Sequence, residues 1–154
     1  VIQVAEIVKA AGIKVKTISY DKPTERYAAL LGSHADVLFE QPGDVRKFLE
    51  AKQMKPVLTV LNKAPSAFAD VPSLKDAKMD IPILLRVRGF WTHKDVPKAR
   101  KDYLRQACAV AFKEAGYQKF NKAKYMHLAR SYYDGADALK LVKDMMGTYR
   151  NAAK

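Results

Sequence analysis

Cysteine is almost missing from this chain of 154 residues: Cys108 is the single one, so an intrachain disulfide is excluded and cysteine usage says nothing about compartment. It falls on an apolar helical stripe with Leu104 and Phe112, where a core position is expected. No apolar run reaches the roughly 20 residues of a membrane-spanning helix, and no charged segment followed by an apolar one opens the chain. Val1 to Val8 is instead already helical in pattern, without initiator methionine or cap, so further residues are expected upstream. Glycine is sparse, at 7 residues, and none stands in a phosphate-cradling loop. His34, His93 and His127 lack metal-ligand spacing, and no nucleophile motif is present. The expectation is therefore a protein that is not an enzyme and holds no metal or cofactor.

Carboxylates are outnumbered as well. Lys plus Arg number 28 against 16 Asp plus Glu, a formal net charge of +12. Such a balance suits an acidic partner: nucleic acid, an anionic membrane surface or small carboxylates, among which net charge alone does not choose. Hydrophobic residues make up 49% of the chain, ample for a core.

The stretch Gly12 to Leu49 is the most informative. β-Branched alternation over Ile13 to Tyr20 predicts a strand, and the turn Tyr20-Asp21-Lys22-Pro23-Thr24 leads into a helix over Glu25 to Leu31, with Thr24 or Asp21 as N-cap and Gly32-Ser33 as the stop. Ala35 to Phe39 reads as a short buried strand, and Glu40-Gln41-Pro42-Gly43-Asp44 turns the chain into a helix over Val45 to Lys52. Parallel pairing of these strands would set both turns at one carboxyl edge, with two helix N-termini facing one crevice where an anion binds.

Farther on, Pro56 to Leu61 is a third strand candidate and Asn62 to Asp80 a surface connection with one helical turn at Ser73 to Ala77. Ile81 to Trp91 is extended, with Arg86 and Arg88 in an apolar context that calls for partners. Helices are expected at Val1 to Ala11 (closed by Gly12), Pro97 to Ala115 (stopped by Gly116), Tyr117 to Lys122 and Gly135 to Asn151. Tyr103, Phe112, Tyr117, Phe120 and Tyr125 are expected in the core of the C-terminal helices.

Leu30-Leu31-Gly32-Ser33-His34-Ala35-Asp36-Val37-Leu38-Phe39, then Gln41-Pro42-Gly43-Asp44, Asp70-Val71-Pro72-Ser73-Leu74, Arg88-Gly89-Phe90 with His93 to Pro97, and Tyr132 to Asp137 together resemble the Bug-type periplasmic solute-binding receptors of tripartite tricarboxylate transporters. The resemblance covers nearly the whole chain and implies an α/β fold of the type II periplasmic-binding-protein kind. Residues 1–88 would be the second lobe, a mostly parallel sheet flanked by helices. Residues 89–154 would cross the hinge and return as helices to the first lobe, whose N-terminal half lies outside the chain. It further implies a periplasmic receptor, monomeric when full length, that captures a di- or tricarboxylate or related acid for membrane transporter subunits.

Ligand contacts are expected from Tyr20, Lys22, Thr24, Glu40, Gln41, Pro42 and Gly43. The first turn departs from the glycine-rich pattern of the family, so Lys22 or the Thr24 hydroxyl would replace a purely backbone grip on a carboxylate. Glu40 would repel a bare diacid but receive an amine or hydroxyl. Two other functions fit these residues: the effector-binding half of a transcription regulator, and a basic nucleic-acid-binding module supported by net charge alone.

Overall fold

A computed structural model describes residues 2–153; Val1, expected on the apolar face of the first helix, lies outside them. The described residues form six α-helices, and the chain divides into two compact units, Val1–Ile83 and Leu84–Lys154.

In the first unit, α1 (Ile2–Ala11) ends at Gly12, whose φ of +64° belongs to the left-handed region that glycine enters without strain. Gly12 N–H donates to the Lys9 carbonyl and Ile13 N–H to that of Val8, the paired bonds of a Schellman stop. Gln3 is buried on this helix, its amide donating to the Pro82 carbonyl at 3.1 Å. The second helix, α2 (Pro23–Leu31), starts with proline at a position where the missing N–H costs nothing. Its N-cap is Lys22, rather than Thr24 or Asp21, and no side chain caps it. The helix ends in a second Schellman stop, with His34 N–H on the Ala29 carbonyl at 2.8 Å and Ser33 at φ +58° where glycine is usual.

The third helix, α3 (Arg46–Glu50), is shorter than the Val45 to Lys52 expected. Tyr27 of α2 meets Phe48 of α3 with ring centroids 5.5 Å apart, and Ala29 and Val45 are buried. Beyond it, Ser73 and Asp76 close a reciprocal cap: Asp76 Oδ2 accepts from the Ser73 amide at 2.9 Å and hydroxyl at 2.7 Å, and the Asp76 amide returns to Ser73 Oγ. That cap starts the single helical turn expected there and sets Leu74 as the most deeply buried side chain.

The mostly parallel sheet is not formed. Among the described residues the one β-type contact is an isolated parallel bridge between Thr59 and Ser73, with Thr59 N–H on the Pro72 carbonyl and Leu74 N–H on that of Leu61. The segments 14–20 and 35–39 join no ladder, and Ile13, Val15, Ile18, Val37 and Phe39 are solvent-exposed. The reason is physical: β-branched alternation makes a segment fit for pairing, but strand hydrogen bonds are made with another segment, and here 59–61 finds 72–74 instead. A type II binding-protein lobe is therefore not the fold, and two turns cannot share a sheet edge that does not exist.

The second unit is helical: α4 (Lys98–Lys113), α5 (Ala115–Ala123) and α6 (Gly135–Ala152). The break after α4 falls at Glu114, whose extended ψ of 137° turns the chain, and Gly116 lies inside α5 rather than ending a helix. Phe112 stacks on Tyr132 at 4.7 Å and meets Tyr117 at 5.5 Å. Asn121 of α5 is buried and donates to Ser131 Oγ at 3.1 Å. Arg105 Nε lies 2.9 Å from Asp134 Oδ1, tying α4 to the start of α6, while Arg130 pairs with Asp137 and lies over the Tyr133 ring. Cys108, Phe112 and Tyr125 are half-buried, but Tyr103, Tyr117 and Phe120 are exposed, so the aromatic core expected of these helices is only partly closed.

Candidate functional site

The seven residues singled out by sequence fall on both sides of one ion pair. Arg26, in the second turn of α2, reaches Glu40 with Nη2 2.7 Å from Oε2. Glu40 is held from its own side as well, because its Oε1 accepts from the Gln41 amide at 3.1 Å. The guanidinium is biased further toward its charged form, chiefly by the hydrogen bond to Glu40. Glu40 is thus committed to internal partners through both oxygens, and its negative charge is matched before any ligand arrives.

Around this pair the expected residues take different stations. Tyr20 is half-buried at the end of the unpaired segment leading to α2, Lys22 is exposed at the N-cap, and Thr24 is exposed in the first turn. Pro23 carries no N–H, so the Thr24 amide is the first donor of the helix. Gln41 and Gly43 are half-buried, Pro42 is exposed, and the Asp44 amide donates to the Gln41 carbonyl at 3.0 Å, closing the turn that Pro42 and Gly43 bend. Two amide clusters converging on one anion are not available, since α3 has only five residues and its macrodipole is correspondingly weak.

Arg26 is the residue that sequence reading missed. Its signal was present: an arginine on the first helix of the motif, followed by a lone acid at the mouth of the next turn, is a pair that a two-turn site would bring together. The pairing is tertiary, across 14 residues, and spacing alone does not announce it.

A separate apolar groove of about 300 Å³ lies elsewhere in the first unit, lined by Val4, Ala5, Val8, Val15, Thr17 and Lys9, and includes none of the seven. Arg86 and Arg88, expected to need partners, are exposed and have none among the described residues. No group of three or more His, Cys, Asp and Glu side chains placed to hold a metal ion occurs among the described residues. Comparison with protein-family models, curated proteins and solved structures returned no match.

Proposed function

We propose that this chain is a non-catalytic solute-binding protein that captures a small organic acid, a di- or tricarboxylate or a related acid, for membrane transporter subunits in the periplasm. The observation that carries the reading is the 2.7 Å contact between Arg26 and Glu40, which draws α2 against the turn Glu40 to Gly43. Those are the two places where the solute is expected from the resemblance, and the excess of 28 cationic over 16 anionic side chains favours an anionic solute.

In this reading the Lys22 ammonium supplies the charge opposite the carboxylate, and the Thr24 amide and hydroxyl supply oriented donors at the positive end of α2. Gln41 takes a second polar group of the acid. Glu40 does not touch the solute; with its charge matched by Arg26, it fixes the distance between the two turns. Recognition therefore rests on side chains and one helix start.

The test is a thermal-shift screen of di- and tricarboxylates, amino acids and aromatic acids, since a ligand at 100 times its Kd stabilises the protein by roughly 2.7 kcal/mol. Stabilisation by one class of acid, reduced by Lys22→Ala, supports the reading. Stabilisation by neutral sugars or peptides alone overturns it.

A further inference from the structure

Leu84 to Lys94 runs Leu-Leu-Arg-Val-Arg-Gly-Phe-Trp-Thr-His-Lys, with three cationic side chains, Arg86, Arg88 and Lys94, and no carboxylate. Up to His93 the segment has no helix, turn or bend, yet it is tied at each end to a helix of its own unit. Tyr149 Oη of α6 donates to the Leu85 carbonyl at 3.4 Å, and Lys101 Nζ of α4 donates to the Lys94 carbonyl at 3.2 Å. What lies between the ties faces solvent. Phe90 is 94% exposed and Trp91 71%, and Leu85 and Val87 are exposed as well.

Alternation along an extended backbone sends Leu85, Val87 and Trp91 to one side and Arg86, Arg88 and Phe90 to the other. The Trp91 indole lies over Gly89, 3.5 Å from where a side chain there would begin, as neighbours two residues apart on one side should. Apolar groups thus stand on both sides of the segment, and the two guanidiniums beside them have no counter-ion among the described residues. Water is a poor environment for an adjacent Phe-Trp pair, and two like charges two residues apart repel.

We propose that Leu85 to Trp91 is a membrane-surface contact that seats on anionic phospholipid headgroups. Phe90 and Trp91 enter the boundary between headgroups and acyl chains, and Arg86 and Arg88 pair with lipid phosphates while their aliphatic stems lie along the apolar layer. Charge complementarity selects an anionic surface. The aliphatic pair selects lipid over nucleic acid: stacked bases offer Phe90 a face but give the opposite side, with Leu85, Val87 and Trp91, little to pack against, whereas a segment lying within the interfacial layer has lipid along both its sides. The contact is shallow, because backbone groups without protein partners stay in the wet interface, and no helix of the described residues is long and apolar enough to cross a membrane. It is independent of solute capture at residues 20–43.

Trp91 is the single tryptophan, so its emission reports the contact directly. The full chain is titrated with vesicles of phosphatidylcholine alone and of equimolar phosphatidylcholine and phosphatidylglycerol, read by emission and co-sedimentation. The expected result is a blue shift and co-sedimentation with the anionic vesicles only, reversed by salt. Changing Arg86→Ser and Arg88→Ser together should weaken partitioning by about fivefold per arginine, and Phe90→Ser should weaken it while keeping the salt dependence. Circular dichroism checks that the helices persist in each variant. Removing two exposed cations elsewhere, Lys119→Ser with Lys122→Ser, should change partitioning less than the arginine pair does. Equal response to neutral vesicles, no response, a loss in the lysine control matching that of the arginine pair, or a larger shift with single-stranded oligodeoxythymidylate would each overturn the proposal.

Discussion

Arg26 Nη2 stands 2.7 Å from Glu40 Oε2, and this contact joins α2 to the turn that precedes α3. Removing either partner leaves the other charge half-shielded from water and releases the two turns. Arg26→Met and Glu40→Gln are each expected to lower the thermal midpoint slightly and to weaken acid binding, and the double change to lower both by less than the sum. A double-mutant cycle read by thermal unfolding and calorimetry measures that coupling; strict additivity would separate the two turns.

Lys22 carries the charge opposite the solute in the proposed site, and as an exposed N-cap it contributes little to folding. A hydrogen bond to a charged group contributes roughly 1.5–3 kcal/mol, so Lys22→Ala should weaken acid binding by about tenfold or more with the fold intact. Titration calorimetry with the strongest acid from the screen decides this.

Leu74 has no exposed surface, and Ser73 beside it closes the cap with Asp76. Leu74→Ala should cost about 2–5 kcal/mol through lost burial and a cavity, and Ser73→Ala about 0.5–2 kcal/mol through the lost cap. Denaturant midpoints measured at constant slope check both values and their order.

Three carboxylates are held below their ordinary range: Asp76 by the Ser73 hydroxyl, Asp102 by its hydrogen bond from Lys98, and Asp134 by that from Arg105. Each ionises more readily folded than unfolded, so each adds stability above its unfolded value of about 3.9 and loses it as pH falls through the lower folded value. Acidification below about pH 4 should therefore destabilise the chain. In Asp134→Asn part of that dependence should vanish, which a pH series of urea midpoints would show.

Gly135 opens α6 at φ +53°, and a side chain added there would start 2.5 Å from Arg105 Nη2. That guanidinium also holds Asp134 through Nε, so a shift that makes room disturbs the pair. Gly135→Ala is expected to destabilise the chain by about 1–2 kcal/mol, the cost of a left-handed alanine. It should also move the Asp134 titration, followed by carboxylate NMR, toward its ordinary range.

The helices were largely legible in the sequence. Gly12 marks the end of α1, and the apolar spacing of α6 runs nearly from Gly135 to its last turn, whereas α2 starts at Pro23, two residues before the Glu25 expected. The Ser73-Asp76 cap was visible as one expected turn. Less legible was the break at Glu114, because nothing in that residue forbids a helix and the chain bends there to bring Phe112 against Tyr117. The seven site residues lay in two turns that sequence could place near each other only by way of a sheet; in the structure the contact is between Arg26 of α2 and Glu40 of the second turn.

By itself the sequence determined which stretches are helical, the cationic excess, and which segments are apolar enough to pair, because periodicity and charge are written within a few neighbouring residues. Only the tertiary structure decided that Ile13 to Tyr20 and Ala35 to Phe39 stay unpaired, that Glu40 is matched by Arg26, and that Phe90 and Trp91 face outward. Helical hydrogen bonds close within four residues of their donors, whereas a strand, an ion pair across a turn and a buried ring each need a partner from distant chain, and which partner arrives is settled by packing.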